Sequence, residues 1–191
     1  MTFWAITMNK IQTLAFASIA TLAGVFLSSA AVAAAGEMTV DNFKLIDHTG
    51  EARELYYERD AKAVVLIVQG NSCPIVRNLI TDFNALQADY AEQGVEVLML
   101  NSNLQDTRES IAKEAAEWNI EVPILHDSAQ LVGRSLELSR TAEVLVIDPS
   151  SWSVVYRGAV DAAGDAVRNL MNDQPVTQEQ KIGRASCRER V

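Results

Sequence analysis

The stretch Ala63-Val64-Val65-Leu66-Ile67-Val68-Gln69-Gly70-Asn71-Ser72-Cys73-Pro74-Ile75-Val76-Arg77 decides the fold. It opens on an almost unbroken, largely β-branched apolar run. Such a run, without polar alternation, predicts a strand buried on both faces, as in a parallel sheet. Gly70-Asn71-Ser72 breaks it. From Pro74 the apolar period changes: Val76, Leu79, Ile80, Phe83, Leu86 and Tyr90 recur at steps of three and four, which predicts a helix. Gly94 suits the position just past the end of that helix.

Cys73 therefore sits where a buried strand gives way to a helix. Ser72 is expected to cap the helix, and Pro74 suits its first turn. A thiol placed there lies beside unpaired backbone N–H groups and the positive end of the helix dipole. Both favour the thiolate, which is the nucleophilic form. Arg77, one turn on, adds positive charge if its side chain folds back. The competing reading is a buried, inert cysteine acting as a small hydrophobe. Placement at a strand-to-helix switch argues against it.

Further elements follow on either side. Phe43, Leu45 and Asp47 before Thr49-Gly50 read as a short strand and turn. Val95–Leu100 is the next strand, ending at Asn101-Ser102-Asn103. Asp106 with Glu109 forms a capping pair for a helix through Trp118, with Ile111, Ala115 and Trp118 facing the core. Residues 122–125 are a short extended stretch, and residues 129–136 a turn or two of helix. Val144-Leu145-Val146-Ile147 is a third buried strand. Asp148-Pro149-Ser150-Ser151 turns it into a hairpin partner over Trp152–Arg157, and residues 161–171 form a last helix. The element order predicts a single α/β domain, a β-α-β half and a β-β-α half around one central mixed sheet flanked by helices, as in the thioredoxin-like fold.

Composition sets the outer limits. The chain has 191 residues, 49% of them hydrophobic and 21% charged, with a formal net charge of −9. That excludes a mostly disordered chain. It also argues against nucleic-acid binding, which needs clustered Lys and Arg. With only 2 cysteines the chain is not a disulfide-built mini-protein.

At the N-terminus, Lys10 precedes an uncharged apolar run over residues 14–27 and then the small residues Ser28 to Ala35. This is the order of a cleaved secretory signal peptide spanning residues 1–35. The expected destination is the periplasm or the exterior, with no stable membrane association after cleavage. At the other end, Ile182–Val191 back-translates as ATC GGA AGA GCG TCG TGT AGG GAA AGA GTG, the sequence of a short-read sequencing adapter. Residues 181–191 are therefore expected to be artefactual and the domain to span 36–180, its true C-terminus lost. Cys187 drops out with that tail and leaves Cys73 as a lone thiol sent to an oxidising compartment, the pattern of a reactive group.

The segment Asn71-Ser72-Cys73-Pro74-Ile75-Val76-Arg77 resembles the N-x-C-P-x-V-[KR] motif of peroxiredoxin-like, thioredoxin-fold redoxins of the alkyl hydroperoxide reductase/thiol-specific antioxidant superfamily. Matching pieces follow in order. They are Gly94-Val95 into Asn101-Ser102-Asn103, Thr141-Ala142-Glu143-Val144 into Ile147-Asp148, and Val155-Tyr156-Arg157-Gly158 with Asp161. The resemblance implies Cys73 as the attacking sulfur, supported by Asn71, Ser72, Pro74, Arg77, Arg140 and Thr141. It implies no cofactor and no metal. The chain departs from the family where peroxiredoxins carry P-x-x-x-T-x-x-C. Leu66 stands at the Pro position and Gly70 at the Thr position, so the usual peroxide-aligning hydroxyl is missing. Ala142 falls where the family has its active-site Arg and where thioredoxins have a cis-Pro. Val76 replaces the second cysteine of C-x-x-C.

A thiolate of this kind attacks a peroxide to give a sulfenic acid, or a disulfide to give a mixed disulfide. The partners implied are a small peroxide or a protein disulfide, and an external thiol reductant. The main alternative is a catalytically silent redoxin scaffold serving as a periplasmic binding module. A copper-binding reading is weaker, because Arg77 replaces the second cysteine of that branch, and Cys73 with His48 or His126 makes a poor soft-metal site. Both histidines read as surface or strand-end residues. Glu109, Glu114, Glu117 and Glu121 read as a solvated helix face. Trp118 and Trp152 read as packing residues.

Overall fold

A computed structural model of the chain describes residues 38–176. The expected leader and adapter-derived tail lie outside them. Seven strands and four helices follow in order: β1 (Lys44–Asp47), β2 (Ala52–Glu54), β3 (Ala63–Gln69), α1 (Pro74–Ala91), β4 (Val95–Asn101), α2 (Arg108–Trp118), β5 (Ile124–His126), α3 (Leu131–Ser135), β6 (Val144–Asp148), β7 (Ser153–Gly158) and α4 (Val160–Met171). A 3-10 segment, Leu55–Asp60, joins β2 to β3. The strands form one mixed sheet in the order β2-β1-β5-β4-β3-β6-β7. β3 is parallel to β4 and antiparallel to β6, and β4 is parallel to β5. This is the α/β, thioredoxin-like arrangement that the element order predicts.

The apolar run of β3 is explained by its two faces. All seven residues of β3 are buried. Ala63, Val65 and Ile67 point into one core, with Val76, Ile80 and Phe83 of α1, Ile111 of α2 and Val167 of α4. Val64, Leu66 and Val68 point into the other, with Leu55, Val132 and Leu136. β6 divides the same way, Val144 and Val146 against Leu145 and Ile147. Side chains alternate along a strand, so a strand covered on both sides needs no polar positions.

Three local expectations are corrected. The N-cap of α2 is Thr107 rather than Asp106: its hydroxyl accepts from Ser110 N–H, and Ser110 completes the box. Asp106 is instead drawn toward the end of β3, as described below. The β5 strand begins at Ile124, after Pro123, which has no N–H to give a ladder. The short strand β2 lies beyond the turn after β1 and pairs back onto it, Leu45 opposite Arg53. Its sequence, Ala-Arg-Glu, carries no apolar alternation to reveal it.

Candidate functional site

The parallel strands β3 and β4 end side by side, with Gln69 opposite Asn101. Past Gln69 the chain turns through Gly70-Asn71-Ser72 and enters α1 at Cys73, which is the N-cap residue. Ser72 takes φ +62°, a left-handed conformation that side chains rarely adopt. Pro74 fills the first helical position, where its missing N–H costs nothing.

The Cys73 side chain is turned inward and is only 3% exposed. It belongs to the apolar core with Val76, Ile80 and Met99. Among the described residues its one side-chain polar contact is Thr141, whose Oγ1 lies 3.1 Å from Cys73 Sγ. Thr141 is itself 1% exposed. The loop that carries it is stitched to the end of β3: Ala142 N–H donates to Val68 O at 2.7 Å, and Val68 N–H donates to Glu143 O at 2.8 Å. Ala142 takes φ +63°. A hydroxyl is thus delivered to the sulfur from the β6 side, although Gly70 offers none at the position three residues before the cysteine.

A buried polar network lies beneath that turn. Gln69 and Asn101 are fully buried at the ends of otherwise apolar strands, and Asn101 Nδ2 donates to Gln69 Oε1 at 2.7 Å. Gln69 Nε2 donates to Asn71 Oδ1 at 3.1 Å and to Glu114 Oε1 at 3.4 Å. Asn71 N–H donates to Asp106 Oδ2 at 3.0 Å, and its amide reaches Ser110 Oγ at 3.1 Å. Asp106 also accepts from Asn101 and Asn103. Ser72 N–H donates to Glu114 Oε2 at 2.7 Å. Glu114 is 8% exposed. Burial pushes its carboxyl above the ordinary glutamate range, opposed by the Ser72 N–H and reinforced by the nearby charges of Asp106 and Glu117.

The expected site residues are thus distributed unevenly. Cys73, Thr141, Asn71 and Pro74 converge on the β3–α1 corner. Ser72 does not cap α1, since the cap position falls to Cys73 and carries no side-chain cap bond; its backbone instead anchors the turn to α2. Arg77 does not fold back: its guanidinium lies over the Trp118 ring, 5.5 Å from the centroid. Among the described residues, no hydrogen bond or ion pair joins Arg140 to this corner; it is half-buried two residues before Ala142. His126 is not a solvated end residue, because its Nε2 lies 3.1 Å from Asp106 O. His48 is half-buried too, its Nδ1 accepting from Ile124 N–H at 3.1 Å. Trp152 packs as expected, stacked on Tyr56 at 4.3 Å. Among the described residues no three His, Cys, Asp or Glu side chains gather in a metal-holding group.

Glu114 was the residue most easily misread. Glutamates at positions 109, 114, 117 and 121 carry the rhythm of a wet helix face, yet position 114 points inward. The signal lies elsewhere in the chain: Gln69 and Asn101 end two apolar strands, and buried amides there require polar partners.

Comparison with known proteins agrees with this fold. Residues 37–163 match the AhpC/TSA family. Over 102 residues the chain is 32% identical to the thiol-disulfide oxidoreductase ResA of Halalkalibacterium halodurans, covering 53% of this chain and 56% of that protein. The chain therefore spans little more than half the length of that relative. A solved hypothetical protein from Sinorhizobium meliloti superposes with a TM-score of 0.71 at 22% identity, over 80% of this chain and 92% of the other. The peroxidoxin BcpB of Mycobacterium tuberculosis superposes with a TM-score of 0.58 at 21% identity, over 72% and 96%. At such identities these two likenesses speak for the fold alone.

Proposed function

Because the chain belongs to the AhpC/TSA family, we propose that it is a thiol-dependent oxidoreductase in which Cys73 is the attacking sulfur. The observation that carries this reading is the place of the sulfur: at the N-terminus of an 18-residue helix, with a buried hydroxyl, Thr141 Oγ1, 3.1 Å away. The hydroxyl is placed to orient the reacting group. Asn71, Ser72 and Pro74 hold the turn that presents Cys73.

With a peroxide, the sulfur forms an S–O bond as the O–O bond breaks, and an alcohol or water leaves with the proton. Cys73 becomes a sulfenic acid. With a disulfide, a new S–S bond forms as the old one breaks, and the partner's second sulfur leaves as a thiolate. Cys73 is the free cysteine of the described residues, and a second thiol, from a partner or from a resolving cysteine outside those residues, resets it in either case. The 32% likeness to a thiol-disulfide oxidoreductase favours the disulfide route, and the absence of a hydroxyl at Gly70 weighs the same way. The leader-like order of residues 1–35 supports a site of action outside the cytoplasm. Among the described residues no helix is long and apolar enough to cross a membrane.

The test compares the chain with Cys73→Ser. Peroxide consumption and reduction of a protein disulfide are each followed with excess dithiol. The variant is expected at background in the reaction the protein performs, and the unsubstituted chain should yield, by mass spectrometry, a mixed disulfide on Cys73 with a disulfide substrate or a sulfenic acid there with a peroxide. Equal rates for the two chains would end the enzyme reading. They would leave the second one, a binding module on a redoxin scaffold, which the near-complete burial of Cys73 favours.

A further inference from the structure

A second feature of the surface begins at the same corner. A cavity of about 680 Å³ runs between α1 and α4, within the roughly 300–1,000 Å³ of ordinary ligand sites. Its floor includes Ile75, Leu79, Leu86 and Val160. Ile75 stands two residues after Cys73, so one end of the groove lies on the first turn of α1, although Cys73 itself is turned into the core. From Ile75 to Tyr90, α1 offers a wall about 22 Å long at ~1.5 Å per residue.

The rim is acidic. Asp82, Asp89 and Asp161 line the groove, are exposed, and take part in none of the ion pairs among the described residues. Among the described residues the one basic lining residue, Arg168, is already engaged: it pairs with Asp165 and donates to Tyr90 Oη at 2.9 Å. Gly164 keeps the groove open. A Cβ there would meet Tyr90 Oη at 3.6 Å and Leu86 Cδ1 at 4.0 Å, ordinary contact distances. Packing therefore does not demand glycine, whose place within a helix costs roughly 0.5–1 kcal/mol against alanine. Alanine or anything larger would fill the space.

We infer that this groove docks a lysine- or arginine-bearing amphipathic segment of a polypeptide partner, its apolar side on the floor and its cations on the three carboxylates. Amphipathic helices lie in apolar grooves in this way, and complementary charge selects the partner. A second copy of the chain fits poorly, since each carries a formal charge of −9. The inference rests on the thiol reading for its consequence, that the docked partner presents its sulfur to Cys73, but not for the docking itself.

The probe is a fluorescein-labelled peptide of about 14 residues, Leu on one helical face and Lys on the other, with a Leu/Glu peptide as control. Anisotropy is read on the full chain, on Cys73→Ser, on Asp82→Lys/Asp89→Lys and on Gly164→Leu. The Lys peptide is expected to bind at least about ten-fold more tightly than the Glu peptide, and more weakly as salt rises. Cys73→Ser should bind equally, whereas the charge reversal and the filled groove should each cost about ten-fold or more. Similar binding of both peptides, or binding indifferent to the charge reversal, overturns the proposal. So does a dimer in sedimentation that Gly164→Leu dissolves. Stronger binding on reversing Lys181 and Arg184 would make the chain's own basic tail the occupant, and overturns it as well. The two readings fail separately: lost docking with intact Cys73-dependent turnover removes only the partner, and intact docking with no such turnover removes only the chemistry.

Discussion

Asp47 and Glu114 are both carboxylates withdrawn from water, at 1% and 8% exposure, and their surroundings treat them in opposite ways. Asp47 closes the turn after β1. It accepts from Thr49 N–H, Thr49 Oγ1 and Glu51 N–H, and pairs with Arg53 at 2.9 Å. Burial alone would raise its carboxyl, but the bonds from Thr49, Arg53 and Glu51 outweigh it and hold the group below the ordinary aspartate range. Among the described residues Glu114 pairs with no cation. Its strongest bond comes from the N–H of Ser72, a left-handed residue beside Cys73. Asp106 and Glu117 add repulsion, and the carboxyl is raised. A matched carboxylate is what a scaffold needs. An unmatched one tied to a strained turn lowers stability, and strain of that kind gathers at working sites.

The largest expected effect separates the two. Asp47→Ala strands the turn N–H groups and half-frees Arg53, and should cost about 2–3 kcal/mol, read as a shift in the denaturation midpoint. Alkylation of Cys73 by iodoacetamide should not change. If alkylation accelerates as much as stability falls, the β1 turn and the Cys73 corner are one cooperative unit and the contrast disappears.

Glu114→Ala should do the reverse. It removes the Ser72 hydrogen bond, worth about 1 kcal/mol, and the longer one from Gln69, but also relieves a buried charge, so the midpoint should move by no more than about 1 kcal/mol. Release of Ser72 should open the corner and speed Cys73 alkylation several-fold. Glu114→Gln keeps an acceptor for Ser72 N–H and should restore the slow rate. Equal rates in the two variants would mean that Glu114 does not hold the turn.

How much of this contrast the sequence displays depends on which physical signal each residue leaves. Cys73 is legible because strand and helix periods change on either side of it. The two-faced core is legible because β3 and β6 leave no polar position. Thr141 is reached only through the family resemblance: it approaches Cys73 from 68 residues away, and no local pattern encodes that distance. Glu114 and Arg77 mislead for one reason. Their spacing says which elements they occupy, but not which neighbour captures the side chain. Glu114 is captured by Ser72 and Gln69, Arg77 by Trp118. Ser72 misleads as a cap because the helix begins at Pro74 and the residue immediately before it is Cys73.

Acidity sharpens the comparison with a sign. Asp47, lowered on folding, lends stability above the ordinary aspartate value of 3.8. That stability is lost as the pH falls through its depressed folded value. Glu114, raised on folding, takes up its proton earlier in the folded chain than in the unfolded one. Its share of stability therefore grows as the pH falls through the raised value toward the ordinary 4.5. Measured against pH, the difference between wild type and Asp47→Asn should shrink below about pH 4. Between wild type and Glu114→Gln it should move in wild type's favour as the solution is acidified from neutrality. Parallel curves would mean that the two carboxylates share one environment.

Arg77 supplies the smallest effect and the sharpest control. A cation folded over the cysteine would make Arg77→Ala slow the thiol. Held instead over Trp118 at 5.5 Å, it contributes an exposed cation–π contact of about 0.5 kcal/mol and nothing direct to the sulfur. The variant should lose about that much stability and keep its alkylation rate. Trp118→Leu should lose the same contact, so that adding Arg77→Ala to it costs nothing more. A slowed thiol in Arg77→Ala with an unchanged midpoint would move the guanidinium from the tryptophan to Cys73. The Cys73 corner would then hold a cation after all, and its difference from the Asp47 turn would be one of degree.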